Sequence, residues 1–426
     1  MEVKSSILSF LVAASIMIWG LIDMQSTKMR PDDSGLMTKH FNDTNEHADG
    51  CGINDGEEPK WVPYTSSDWE YQDTIYQCGQ NIYAERFGTE NYYMHEFRNS
   101  FPLSKLNCSI QPSVDDLLTH YDNLYMIGDS VMKQQYSTLL CMMNSQSLPD
   151  FREVHGIRRP TIRIKRNSTK DPRNTTFKME YIEWGNKFKE PHQTWPLYHT
   201  FPNLLKYGSH RDIIIINAGH HYRSPDAQAL INHTATIVQL LQKAQNKIHQ
   251  EGSQRSLPHV FFMEADEENY PTSNGMYPGR GVCDQENCTC RAITKEMELG
   301  HADPDSSINW TSVYGHFSPD YSLLSETLAS TQKLQKKVSD CIPDCFPASW
   351  RSALSFPILT GKKTSERPIV SSTGINVVPI WRQLIRRGIP SSRFPSYDCT
   401  HKGVDVVIEM NRQLLRTVRK VHDHIS

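Results

Sequence analysis

Three short, continuous apolar runs stand out along the chain, and each has the length of a β-strand. They cover residues 124–127, 213–216 and 260–263. Uninterrupted apolar runs of this length indicate strands that are covered on both faces, as in a parallel sheet. Apolar side chains also recur at helical spacing, in residues 131–143, 227–248 and 404–418. Strands that alternate with helices predict an α/β fold with three layers, α/β/α.

A longer apolar run lies near the N-terminus. Residues 5–22 carry no charge, with Lys4 before them and Asp23 after them. As a helix this run spans about 27 Å, close to the thinner membranes of the early secretory pathway. It ends without a small-x-small site, which favours a retained anchor over the alternative, a cleaved signal peptide. The expected organisation is a cytoplasmic tail (1–4), a transmembrane signal anchor (5–22), a polar lumenal stem (23–60) and one catalytic domain (61–426).

Composition agrees with a secreted or lumenal globular domain. The chain has 426 residues and a net charge of -3, so it lacks the basic excess that nucleic-acid binding requires. Its ten cysteines lack the paired spacing of a zinc site, and in an oxidising lumen they predict disulfides and no bound metal. Asn-x-Ser/Thr acceptors for glycosylation occur at Asn42, Asn107, Asn167, Asn174, Asn232, Asn287 and Asn309.

Polar residues follow each of the three predicted strands. The first strand continues into Gly128-Asp129-Ser130, the second into residues 217–221 and the third into Glu264. In α/β folds, reactive groups lie at the carboxyl ends of strands. Ser130 would occupy a strand-to-helix turn, where free backbone N–H groups and the helix dipole can hold an oxyanion. The alternative is that Asp129 or Ser130 only caps the helix.

A nucleophilic serine needs a base, and the base needs an orienting carboxylate. Among the 18 histidines, only His401 has an aspartate three residues before it. That spacing lets Asp398 reach one imidazole nitrogen while the other faces Ser130. The chain therefore contains the constituents of a triad in the order Ser, Asp, His.

These motifs together resemble the PC-esterase branch of the GDSL/SGNH hydrolases, which includes the plant trichome birefringence-like polysaccharide O-acetyltransferases. The resemblance rests on Ile-Gly-Asp-Ser at 127–130, Asn-Ala-Gly-His at 217–220 and Asp-Cys-Thr-His at 398–401. It covers the chain from about Cys108 onward, and also the single N-terminal anchor and the stem. It implies an SGNH-hydrolase-like parallel sheet with an additional lobe. Residues 287–394, which match no family motif, are expected to contribute to that lobe.

The resemblance also implies a role for each site residue. Ser130 would be the nucleophile, His401 the general base and Asp398 the orienting acid. The Asn217 amide would join the Ser130 backbone N–H in the oxyanion hole. His220 would line the acceptor cleft, or equally serve a structural hydrogen bond. A second family glycine corresponds to Gly156 or Gly185, and residues 265–275 correspond to a loop near the active site.

One departure from the family follows His401. Plant members have Trp and Cys there, whereas this chain has Lys402 and Gly403. One family disulfide is therefore expected to be absent or rewired, and Cys399 would need another partner.

The implied function is that of a membrane-anchored lumenal O-acetyltransferase of the Golgi or another secretory-pathway membrane. It would be a single-pass type II protein that transfers acetyl from an unidentified donor to hydroxyls of a glycan or polysaccharide, without a bound cofactor. By analogy, a separate membrane protein would supply the acetyl groups. The alternatives are an acetyl-ester esterase with the same triad and a non-catalytic glycan-binding ectodomain.

Overall fold

The computed structural model describes part of the chain. The described residues are 61–87, 104–106, 112–145, 151–154, 161–165, 176–184, 196–217, 221–222, 227–265, 268, 270, 351, 355, 358–359, 374–378, 380 and 399–425. All of them belong to one compact unit, residues 48–426. The expected tail, anchor and stem lie outside them. None of the described helices is long and apolar enough to cross a membrane.

Strands and helices alternate along much of the described chain. In order they are β1 (Trp61–Pro63), α1 (Ser66–Phe87), β2 (Ser104–Leu106), α2 (Val114–His120), β3 (Asn123–Gly128), α3 (Ser130–Ser145), β4 (Phe151–Val154), β5 (Thr161–Lys165), β6 (Thr176–Glu183), a π-helical turn (Pro196–Thr200), α4 (Phe201–Tyr207), β7 (Asp212–Asn217), α5 (Ala227–Gln250), β8 (His259–Met263), β9 (Ile375–Val378) and α6 (Val404–Ile425). The three predicted strands are confirmed as β3, β7 and β8. The three predicted helices are confirmed as α3, α5 and α6.

The main sheet is mixed rather than wholly parallel. Its described strands run in the order β4-β5-β6-β3-β7-β8-β9. Pairing is parallel from β6 to β9, whereas β4–β5 and β5–β6 pair antiparallel. Strand β5 alternates buried Ile162 and Ile164 with exposed Arg163, a pattern that suits an antiparallel strand covered on one face. The prediction of a parallel sheet is therefore right for the centre and wrong for this edge.

The sheet buries a separate apolar core on each face. Along β3, Leu124 and Met126 point into one core, while Ile127 points into the other. The first core also receives side chains of α1, α2, α3 and α6, and the second receives those of α4 and α5. Helices thus cover both faces of the sheet, as the continuous apolar runs indicated.

Strand β9 corrects one expectation about the additional lobe. Residues 287–394 were expected to contribute to that lobe, yet Ile375–Val378 pairs with β8 in the main sheet. The strand is short, and its sequence Ile-Asn-Val-Val interrupts the apolar run with Asn376, whose side chain donates to the Val260 carbonyl at 3.3 Å. Four residues with a central polar side chain give too weak a pattern to be recognised from sequence.

One disulfide has both of its cysteines within the described residues. Cys78 of α1 is bonded to Cys141 of α3, and Cys399 is also disulfide-bonded. Among the glycosylation acceptors, Asn232 lies within the described residues, exposed on α5. Its side chain accepts a hydrogen bond from Gln228 at 2.8 Å. The other six acceptors lie outside the described residues.

A group of histidines lies at the amino-terminal edge of the sheet. His120 stacks on His422 with ring centroids 3.9 Å apart, and Tyr121 meets both His259 and His422 edge-on. Burial, reinforced by neighbouring imidazoles, lowers the pKa of His120 and of His259. The other charged groups that act on these two rings are Asp116, Asp423, Arg211 and His210. We call His120, His259 and His422 the histidine cluster.

Candidate active site

The Gly-Asp-Ser turn joins the central strand β3 to helix α3, and Asp129 caps that helix. Its Oδ1 accepts hydrogen bonds from the backbone N–H groups of Val131 at 3.0 Å and Met132 at 3.4 Å, and its carbonyl accepts from Lys133 N at 3.0 Å. Asp129 is almost fully buried. Because Asp129 fills the capping role, the half-buried Ser130, as the first helical residue, is not needed for it.

Asn217 ends strand β7 directly beside this turn. It is paired in register with Gly128, and its side chain is fully buried. A Cβ at position 128 would lie 2.5 Å from the Asn217 carbonyl oxygen and 2.6 Å from Met132 Cβ. Only glycine permits this close approach, so Gly128 is what allows Asn217 and the start of α3 to lie together.

The other neighbouring strand, β6, holds the turn from the opposite side. The Tyr181 hydroxyl lies 3.1 Å from the carbonyl oxygens of both Gly128 and Asp129 and donates to them. Trp184 N donates to the Gly128 carbonyl at 2.7 Å. The backbone before Ser130 is thus fixed by hydrogen bonds, a prerequisite for a preorganised nucleophile.

The segment that carries His401 lies against the same helix. The Gln134 side chain, one turn after Ser130, accepts from Lys402 N at 3.1 Å and donates to the Lys402 carbonyl at 2.5 Å. Thr400, on the other side of His401, lies within hydrogen-bond distance of the Tyr270 hydroxyl, at 3.2 Å. The structure therefore brings the half-buried His401 to the helix that Ser130 begins, although Gln134 and Lys402 are 268 residues apart in sequence.

Several predicted site residues lie outside the described residues. They are Asp398, His220 and the two candidate glycines, Gly156 and Gly185. Their roles stay predictions. The contact between Tyr270 and Thr400 agrees with the expectation that residues 265–275 approach the active site.

Two lysines near the turn are affected by burial. Burial lowers the pKa of Lys133, against the opposing influence of the Glu183 carboxylate. Burial alone lowers the pKa of Lys402 well below its ordinary value.

Sequence reasoning missed a buried network of hydrogen bonds around Arg351. The Arg351 guanidinium donates to the Tyr222 carbonyl at 3.1 and 2.9 Å and to Glu268 at 3.4 Å. The Tyr222 hydroxyl is hydrogen-bonded to Nδ1 of His233 at 2.6 Å, and burial lowers the pKa of that histidine. The network ties the segments that follow β7 and β8 to each other. Its members are far apart in sequence, and no local pattern signals them.

Within the described residues, no three or more His, Cys, Asp or Glu side chains gather in a way that could hold a metal ion. Comparison with known proteins assigns no family. No protein-family model matches this chain, and no curated protein matches it in sequence. A functional interpretation therefore depends on the residues of the site and on their geometry.

Proposed function

We propose that this protein is a serine-dependent O-acetyltransferase that acts on glycan hydroxyls, with Ser130, His401 and Asp398 as its triad. One observation carries the proposal. Ser130 begins helix α3 at the carboxyl end of the central strand, and the segment with His401 is hydrogen-bonded to the next turn of that same helix. The helices on both faces of the sheet support the related proposal of an SGNH-hydrolase-like fold.

The first half-reaction loads the serine. Ser130 Oγ attacks the acetyl carbonyl carbon while His401 accepts the hydroxyl proton, with Asp398 orienting the imidazole. The Ser130 backbone N–H at the start of α3 and the Asn217 amide stabilise the oxyanion that forms. The tetrahedral intermediate then expels the donor group, which takes the proton from His401. Ser130 is left as an acetyl ester.

The second half-reaction transfers the acetyl group. A sugar hydroxyl attacks the acetyl-Ser130 carbonyl and gives its proton to His401. Collapse of the second intermediate releases the acetylated glycan, and the proton returns to Ser130 Oγ. Glycans are the proposed acceptors because the expected anchor would place the domain in the secretory lumen. In that compartment, acetyl groups would come from a separate membrane protein.

The serine can be tested on the full-length protein in detergent. The experiment supplies an activated acetyl ester and seeks the acetylated peptide that contains residue 130 by mass spectrometry. Ser130→Ala should abolish labelling and lower turnover by at least about 10³-fold. Ser137→Ala is the matched control, since Ser137 is buried on the same helix and donates to the Lys133 carbonyl at 3.2 Å. Equal turnover by both variants would refute the serine mechanism.

The acceptor is tested in the same reaction. Acetate released to water is measured against acetate transferred to a panel of glycans. Transfer to a glycan supports the proposal, whereas release of free acetate alone would make the protein an esterase with the same triad. A wild-type protein that neither turns over acetyl esters nor reacts with a fluorophosphonate would instead be a non-catalytic glycan-binding domain.

A further inference from the structure

Gln134 bridges the two distant parts of the candidate site with a single side chain. It is fully buried, and both of its amide atoms are used on one residue, Lys402. The carbonyl oxygen Oε1 accepts from Lys402 N, and the amide nitrogen Nε2 donates to the Lys402 carbonyl. An amide is the side chain that can both donate and accept in this way.

These two hydrogen bonds fix the peptide groups on either side of Lys402. Lys402 N belongs to the peptide bond with His401, and the Lys402 carbonyl belongs to the peptide bond with Gly403. The Gly403 carbonyl in turn accepts from Val407 N at 3.1 Å, in the first turn of α6. The backbone is therefore fixed from the bond that leaves His401 to the start of the last described helix.

The position of Gln134 relates this restraint to the nucleophile. Residues four apart on a helix lie on the same face, so Gln134 lies one turn beyond Ser130 on that face. Helix α3 therefore carries Ser130 and, through Gln134, also holds the backbone next to His401. Any rotation or sliding of the segment around His401 relative to Ser130 would break one or both hydrogen bonds of Gln134.

We propose that Gln134 is the positioning residue that holds His401 in register with Ser130. The proposal rests on the proposed function, because it gives Gln134 a role in proton transfer between those two residues. Gln134 acts only through the backbone of Lys402 and does not contact the reacting atoms.

Gln135 provides a matched control. It has the same side chain, lies on the same helix and is equally buried. Its amide nitrogen contacts Met410 Sδ of α6 at 3.8 Å, so it packs against that helix without holding the segment around His401. Replacement of each glutamine by methionine keeps the length of the side chain and removes the amide.

The test compares Gln134→Met, Gln135→Met and the wild type as full-length proteins. A fluorophosphonate labels Ser130, and the labelling rate per folded molecule is measured between pH 5 and pH 9. The variants are compared on the plateau that the wild type reaches at high pH. A displacement of about 1 Å can lower reactivity about 100-fold, so the plateau of Gln134→Met should fall by 10- to 100-fold. Gln135→Met should keep the plateau of the wild type.

Each outcome separates the two proposals. Equal plateaus for Gln134→Met and Gln135→Met, in a protein whose wild type labels at Ser130, overturn the positioning role and leave the triad intact. A wild type that does not label at Ser130 overturns the proposed function, and the positioning role falls with it. If Gln134→Met does not fold, Gln134→Asn takes its place, because an amide one methylene shorter cannot keep both hydrogen bonds.

Discussion

Gly128→Ala tests the close approach on which the candidate site depends. The added Cβ would lie 2.5 Å from the Asn217 carbonyl oxygen, and relief to an ordinary contact of 3.4 Å requires a shift of about 0.9 Å. The second obstacle is Met132 Cβ at 2.6 Å, which moves only with helix α3. Trp184 N and the Tyr181 hydroxyl hold the Gly128 carbonyl from the other side, so β3 cannot simply retreat.

Gly128→Ala should lower both the free energy of unfolding and the reactivity of Ser130. Overpacking of a tight core site costs typically 1–3 kcal/mol, and we expect about 3 kcal/mol here because both obstacles belong to fixed atoms rather than to flexible side-chain ends. A shift of nearly 1 Å between Ser130 and Asn217 should also slow fluorophosphonate labelling by about 100-fold. Urea unfolding followed by circular dichroism measures the first effect, and the labelling rate of the folded fraction measures the second.

Gly252→Ala is the control for the general cost of replacing a glycine. Gly252 has a positive φ of 59° but no atom within 4 Å of the added Cβ. Its replacement should cost about 1 kcal/mol through backbone strain and leave labelling unchanged. If Gly128→Ala unfolds at the urea concentration of the wild type, or labels at its rate, then the account of this close approach is wrong.

Two further predictions concern stability away from the site. The disulfide between Cys78 and Cys141 closes a loop across a sequence separation of 63. Alanine at both positions should therefore lower the free energy of unfolding by about 4 kcal/mol. A loss below about 1 kcal/mol in urea unfolding would contradict this prediction. The histidine cluster should make stability depend on pH. The folded protein holds the pKa of His120 and His259 below the ordinary 6.5, so the unfolded chain binds more protons and stability is lost as pH falls through about 6.5. Unfolding in urea at pH 7.5 and at pH 5.5 measures this loss of stability. His120→Asn should make the loss smaller. If the variant loses as much stability as the wild type, the histidine cluster is not its cause.

The central strands of the sheet can be predicted from the local sequence pattern, whereas its edge strands cannot. Strands β3, β7 and β8 are buried on both faces, so their side chains form continuous apolar runs that sequence alone reveals. Strand β5 has only five residues, with exposed Arg163 between buried Ile162 and Ile164, and β9 has only four residues. Helix α1 was also missed, because much of its surface is polar and only a few positions, such as Ile75, enter the core.

The candidate site divides in the same way. Ser130 and Asn217 follow from topology, since neighbouring parallel strands end at the same edge of the sheet. Gln134 contacts Lys402, from which it is separated by 268 positions in sequence. Arg351 contacts Glu268 across a separation of 83 positions. Such pairs depend on how the loops pack, and no spacing in the sequence encodes them.

The backbone on both sides of His401 is held by contacts with other parts of the chain. Lys402 is buried, and its backbone is held by Gln134. Gly403 then starts α6 through its carbonyl, and Cys399 is disulfide-bonded. The disulfide of Cys399 therefore holds the segment before His401, and Gln134 holds the segment after it. Gln134 and Gln135 are both buried amides on α3, but only the contacts of Gln134 reach the residue next to His401, so its replacement should have the larger effect on labelling at Ser130.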